Sequence, residues 1–325
     1  MTVLRRRDAL ILLAAVAAAP RAVAAEDYPS RPVRIIAPFG AGGPTDVFSR
    51  IVADELQRAL HQAFVIENRP GAGTTIGTDV VAHSAPDGYT LLMVSATQCV
   101  NETLFPHKHY KLMQDLAAVA PLIDSDLVLV VHPSVPVKTL AELLALARAK
   151  PGTLNYGSSG PGSNYHMAAE LLRHLTGINI VHVPYKGSTG ARNDIISGNI
   201  QLLFDSVPTM APLIKAGMVR ALGTSGKTRS PILPEVPTIA EAGVPGFQAS
   251  LWVGFMVPAA TPQPVVDKLN TEIAKILSRP DIKEAWEKQG ATPVVMPPAE
   301  FKKFMDAEVV KWAGIIQANH IKPIN

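Results

Sequence analysis

Val33-Arg34-Ile35-Ile36-Ala37-Pro38-Phe39-Gly40-Ala41-Gly42-Gly43-Pro44-Thr45-Asp46 reads as a short apolar strand, a glycine-dense turn and the first turn of a helix. Such a turn leaves the helix-initiating amides bare and directed outward, which makes it an anion cradle. Pro44 at the first helical position removes an N–H that would have no partner, and Gly42 and Gly43 let a ligand approach the main chain with no Cβ in the way. A carboxylate fits there. The same grammar recurs at Gly157-Ser158-Ser159-Gly160-Pro161-Gly162-Ser163, after a strand-like run and before a helix, so two anion sites are expected to face each other.

Outward from the first cradle the chain alternates apolar β-rich runs with helical periods: strands 33–37, 64–67 and 90–95 with helices 44–60 and 73–84 between them. Continuous apolar strands suit a parallel sheet covered on both faces, joined by right-handed crossovers. Runs 116–123 and 126–132 read as a pair of strands broken at Asp124-Ser125, a crossing between lobes. A second α/β set follows, with helices 139–149, 163–175, 188–197 and 208–216 and strands 154–157, 178–183, 200–204 and 219–224. After proline-rich turns at 231–237 and an apolar run at 251–257, the tail supplies helices 262–278, 280–289 and 298–318, started by Thr261-Pro262 and Pro297-Pro298. Their apolar faces are expected to bury against the first lobe, whose own helices are few. The expected division is therefore 26–124 with 251–325 as one lobe and 125–250 as the other.

Residues 1–25 stand apart from this pattern. Arg5-Arg6-Arg7, the apolar run 9–19 and Ala22-Val23-Ala24 have the charge, core and cleavage grammar of a signal peptide, so the chain is expected to be exported to the periplasm. Arg6-Arg7-Asp8-Ala9-Leu10 also resembles a twin-arginine signal, the alternative to the Sec route. The apolar run falls short of the roughly 20 residues that span a bilayer. Without residues 1–25 the chain has 26 basic and 26 acidic residues, so its formal excess is mostly targeting signal. No basic stripe with interleaved aromatics points to nucleic acid. A single cysteine, Cys99, excludes an intramolecular disulfide and a cysteine-built metal site, and reads as a buried small hydrophobe.

Enzyme chemistry finds little support. Gly40-x-Gly42 after the first strand, with Glu67 ending the second, mimics part of a dinucleotide site, but the third glycine is missing and position 45 is threonine. The other glycine-rich stretch, Gly71-Ala72-Gly73 with Gly77, follows the wrong strand. No G-x-S-x-G elbow occurs. His107 and His109 flank Lys108 in a loop and lack a third metal ligand, so they read as solvated. His132, His166, His174 and His182 are scattered and read as finishing local hydrogen bonds. No catalytic residue, metal or cofactor is expected.

The ligand contacts expected from the cradles are Phe39, Ala41, Gly42, Gly43 and Thr45 on the first side, and Ser158, Ser159, Gly162, Ser163 and Asn164 on the second. Asp46 belongs to the same turn, where an acid also caps free amides and favours the helix dipole. Ser163 doubles as the N-cap of its helix. Ser95 and Thr97 close another strand end, and Gln98 beside them is placed to touch the middle of a ligand. Asp205 ends a strand, where open α/β sheets bind ligands, and is equally suited to capping the next helix. Lys186 reads as an exposed surface lysine.

These motifs, with Tyr28-Pro29-Ser30-Arg31-Pro32, Glu67-Asn68-Arg69-Pro70-Gly71-Ala72-Gly73, Ala85-Pro86-Asp87-Gly88-Tyr89-Thr90, His182-Val183-Pro184-Tyr185-Lys186-Gly187-Ser188, Pro234-Glu235-Val236-Pro237-Thr238 and Glu241-Ala242-Gly243, resemble a Bug/TctC solute receptor over nearly the whole chain beyond residue 25. The resemblance implies a two-lobed periplasmic binding protein fold of type II-like α/β architecture. Each lobe would be a mixed, mostly parallel sheet flanked by helices, with two crossover strands. It implies a monomeric extracytoplasmic receptor that closes on a small organic acid, with carboxylates held by the two loops partly through ordered water. The implied partners are the permease subunits of a tripartite tricarboxylate transporter or, for an orphan receptor, a sensor kinase ectodomain. Gly40 departs from the Pro or Ser more usual there, and Gln98-Cys99 also departs from the pattern. These differences bear on which acid is bound, not on how.

Overall fold

The computed structural model describes residues 28–324, so the signal-peptide reading lies outside the described residues. Three parallel strands open the chain: β1 (Val33–Ala37) lies between β2 (Phe64–Asn68) and β3 (Thr90–Ser95). The crossovers are α1 (Pro44–Leu60) and, after a 3₁₀ turn at Ala72–Thr74, α2 (Thr75–Ala82). Strand β3 runs directly into α3 (Ala96–Leu104), and α4 (Leu112–Asp115) leads into β4 (Leu116–Val131). The helix at 96–104 escapes a periodicity reading because seven of its nine residues are buried, leaving no polar face to alternate with.

Strand β4 joins the two halves. It is one 16-residue strand, not two strands broken at Asp124-Ser125. Both residues are paired on each side, with β9 (Ser250–Pro258) and with β10 (Ala291–Pro293). Two flanking ladders keep the polar dipeptide in the strand, and the register shifts fall instead at Ala118/Ala120 and Pro121/Ile123, where Pro121 has no N–H to donate. Residues 116–126 pair with β9, whereas 127–131 pair with β7 (Leu202–Ser206) and β8 (Arg220–Thr224). Beyond β7 lie β5 (Asn155–Ser158) and β6 (Val181–Pro184), parallel to one another, so the order is β2-β1-β3-β9-β4-β7-β5-β6. This is a two-lobed α/β fold in which β4 and the segment entering β9 are the crossings.

The second lobe carries α5 (Leu140–Ala149), α6 (Asn164–Thr176), α7 (Ser188–Ser197) and α8 (Val207–Lys215), and the tail carries α9 (Gln263–Ser278), α10 (Pro280–Glu287) and α11 (Pro298–Ala318). Helices α9 and α10 cover the first lobe, where Leu269, Ile273 and Trp286 join Val33, Ile35, Phe48 and Phe255 in one buried cluster. Helix α11 does more than its pattern suggests. It packs on α3 and β4 and also on α6 of the other lobe, placing Trp312, Ile315 and Ile316 in a core shared with Tyr156 and Leu172. Just beyond its end, Asn319 Nδ2 donates to the backbone oxygen and to Oε2 of Glu170 on α6, both at 2.7 Å. Among the described residues no helix is long and apolar enough to cross a membrane.

Candidate functional site

Strands β1, β2, β3, β5 and β6 all deliver their C-terminal ends to one cleft of about 1130 Å³ between the lobes. That is where the parallel-sheet rule puts a ligand, because each strand is followed by a helix whose first amides have no intrahelical acceptor. The lining includes the N-cap Gly43 and Thr45 at the start of α1, Thr75 of α2, Thr97 of α3, the N-cap Ser163 and Asn164 at the start of α6, and Ser188 and Thr189 of α7. Five helix N-termini thus edge one cavity, each with a partial positive charge of about +0.5.

On the first lobe the wall is backbone. Gly42 takes φ +80°, a left-handed conformation that costs other residues about 1–2 kcal/mol, whereas Gly43 sits at φ −77° with open space where a Cβ would be. Asp46 faces away from the cavity: Arg50 Nε and Nη2 donate to its two oxygens at 2.9 and 3.0 Å, Asn68 Nδ2 at 2.9 Å, and the Gly42 amide at 3.0 Å. Burial alone would raise its pKa, but these donors together hold the carboxyl below the usual range. Asp46 therefore clamps the turn and leaves Thr45 as the inward side chain, nine-tenths buried and without a hydrogen-bond partner among the described residues. The 70–75 loop adds a second stretch of turned-in backbone, with positive φ at Gly71, Ala72, Gly73 and Thr74 in succession. Ala72 and Thr74 are strained there, and Asn101 Nδ2 helps hold the loop by donating to Gly73 O at 2.6 Å and to Thr74 Oγ1 at 3.1 Å.

On the second lobe the wall is braced from behind. Ser158 is fully buried, its Oγ 2.6 Å from Nε2 of His182, and the Gly162 amide donates to Nδ1 of His166 at 3.1 Å. The two imidazoles stack at 4.0 Å between centroids, and Tyr156 stacks on His182. Burial lowers the pKa of His166 to about 4, and burial together with the neighbouring His166 lowers that of His182 to about 3, so both are neutral at pH 7. Below them Glu170 receives Tyr156 Oη at 2.5 Å, Arg173 Nη1 at 2.7 and 2.8 Å, and the Asn319 amide. Burial works against its charge, but these donors keep the carboxyl below its usual pKa. Ser163 Oγ accepts from the His166 amide at 3.3 Å, the cap expected of it.

Of the residues singled out in the sequence, Phe39, Ala41, Gly42, Gly43, Thr45, Ser95, Thr97, Ser159, Ser163 and Asn164 line this one cleft. Thr97 Oγ1 donates to Asn164 Oδ1 at 3.3 Å, so the two halves meet at its floor. Asp46, Gln98, Ser158, Gly162 and Asp205 lie behind the wall. Gln98 closes a capping box with Ser95, and Asp205 is fully buried against Arg192 Nε at 2.8 Å and the Ser206 amide at 2.7 Å. Cys99 is buried, which pushes its thiol pKa up. The histidines are less scattered than their sequence positions suggest, since two form the brace and His107 and His109 stand at the cleft with Lys108. Sequence reasoning missed the 70–75 loop and the start of α7, with Lys186 and Arg192. Both had a signal: each repeats the strand, glycine, helix order that marked the first two cradles.

A two-lobed fold with a polar interlobe cleft ringed by helix N-termini defines a solute-binding protein. Residues 48–321 match the model of the tripartite tricarboxylate transporter family receptor, TctC, and the chain belongs to that family. It is 39% identical to Protein BugT of Bordetella pertussis over 302 residues, covering 92% of this chain and 93% of the relative. Among solved structures it is similar to R. palustris Rpa4515 with adipate, at 34% identity and a TM-score of 0.85 over 92% of this chain and all of the other. It is also similar to MatC of Rhodopseudomonas palustris with bound malate, at 31% identity and a TM-score of 0.80 over 89% of this chain and all of the other.

Proposed function

We propose that this chain is a periplasmic receptor that captures a small organic carboxylate between its lobes and delivers it to the membrane subunits of a tripartite tricarboxylate-type transporter. It works without a catalytic step, as a monomer exported by the signal peptide at 1–25. The observation that carries the reading is the convergence of helix N-termini from both lobes on one cleft, in a family whose relatives are held with adipate and malate. The lobes are taken as 26–124 with 251–325 and as 125–250, a division supported by the change of partners along β4 at 126/127.

Each charge-assisted hydrogen bond to a desolvated carboxylate contributes about 1.5–3 kcal/mol, so three or four suffice for micromolar binding. Main-chain amides supply them without the desolvation cost of an imperfectly paired cation. Shifting the lobes from 1:99 to 99:1 closed needs about 5.5 kcal/mol of preference for the closed state, which carboxylates gripped from both sides supply. A thermal-shift screen of small organic acids tests the reading. At 100 times Kd a ligand stabilises the folded state by about 2.7 kcal/mol, so at least one carboxylate raises the midpoint and its amide does not. If no acid shifts it, the reading fails.

A further inference from the structure

Among the described residues, the side chains lining the cleft carry cations and no carboxylate. Lys108, Lys186 and Arg192 line it among the described residues, together with His107 and His109. Two acids that border it, Asp46 and Asp205, are buried and engaged behind the wall. Lys108 is engaged too, its Nζ 3.1 Å from Glu102 Oε1. Lys186 has no ion pair or hydrogen bond among the described residues.

Arg192 differs from Lys186 in being fixed. It is only 22% exposed, Nε donates to Asp205 Oδ2 at 2.8 Å, and Nη2 donates to Ser188 Oγ at 2.5 Å. These bonds hold one edge of the guanidinium fork, and Nη1 has no hydrogen-bond partner among the described residues. Asp205 cancels the net charge, but it sits behind Arg192, so the pair is a dipole whose positive end lies at the cleft. A fork already immobilised loses little side-chain freedom when a planar anion arrives, which a free lysine cannot match.

Resting on the receptor reading above, we infer that Arg192, seconded by Lys186, is a specificity-determining residue that holds a distal carboxylate, and that the ligand carries at least two carboxylates and no ammonium group. The helix N-termini of the cleft and these two cations set a positive field suited to a dianion. An ammonium group placed among them has no lining carboxylate to pair with and faces repulsion from Lys186.

Calorimetric titration of the protein with succinate, glutarate and adipate, their 2-amino counterparts aspartate, glutamate and 2-aminoadipate, and the monoacid butyrate tests this. Arg192→Met alone strands the buried Asp205 charge and endangers folding, so the informative variant is the double Arg192→Met/Asp205→Asn, which removes the pair together, alongside Arg192→Lys. The inference expects at least one diacid to bind, its amino counterpart to bind at least tenfold more weakly, and the double variant to lose at least tenfold for that diacid while butyrate changes less than threefold. It expects Arg192→Lys to fall between. An amino acid that binds as tightly as its matched diacid, or a folded double variant with unchanged diacid affinity, overturns this inference and leaves the receptor reading standing. Binding by none of the acids overturns both.

Discussion

The two sides of the cleft solve the same problem in different ways. On the first lobe the loop 38–43 is thin: it is held by Asp46 receiving the Gly42 amide and by Asn68 donating to Phe39 O at 3.1 Å, and it offers the cavity mostly backbone. On the second lobe the loop 158–163 stands on a buried stack of His182 and His166, which in turn stands on Glu170 and, through Asn319, on the tail of the chain. A loop tied only at its ends can adjust to a ligand; one braced from behind presents a fixed surface. The contrast places adaptability on the first lobe and rigidity on the second.

The largest test is to pull the brace. Glu170→Ala removes the acceptor shared by Tyr156, Arg173 and Asn319, and breaking a buried charge network of this kind costs about 3–5 kcal/mol. Urea denaturation should show that loss, and hydrogen exchange should accelerate at 158–163 more than at 38–43. Equal acceleration of the two loops would erase the contrast.

Acid should loosen the same side. His166 has a folded pKa of about 4 against about 6.5 in the unfolded chain, so the unfolded state takes up the proton first as pH falls. Its stabilisation is present in full above pH 6.5 and is lost between there and pH 4, about 3 kcal/mol from this residue alone. Denaturation midpoints across that range check it, and His166→Gln, which keeps an acceptor for the Gly162 amide, should flatten the fall.

On the first lobe the expected effects are on binding. Gly43→Val meets open space and an ordinary φ, so stability should move by less than about 1 kcal/mol while the new side chain enters the cleft. A carboxylate found by thermal shift should then bind more than tenfold more weakly. Gly42→Ala, one residue away at φ +80°, should instead cost about 1–2 kcal/mol of stability. Smallest of all, Asp46→Asn should lower stability by about 1 kcal/mol and change affinity little, because that carboxylate faces Arg50 and not the cavity.

The order of strands and helices was legible because most parallel strands are short runs rich in apolar residues, each followed by a turn and a helix start. The cradles at 40–46 and 157–163 were legible because strand, glycine and helix start are adjacent in sequence. What could not be read was anything built across distance. Ser158 meets His182 over 24 residues and Glu170 meets Asn319 over 149, and neither spacing has a period. Helix α3 was missed because burial on nearly every face removes the amphipathic stripe. The start of α7 repeats the strand, glycine, helix order, but the bond that fixes Arg192 there, to Asp205 on the next strand 13 residues away, has no sequence signal.

The central claim is that backbone amides of both lobes bind one anionic ligand, and amide NMR on the protein titrated with a binding dicarboxylate tests it most directly. The account requires the signals of Gly43, Thr45 and Asp46 and those of Ser159, Asn164 and Thr189 to shift along one saturation curve with one Kd. Shifts confined to one of these two sets at saturation would contradict it.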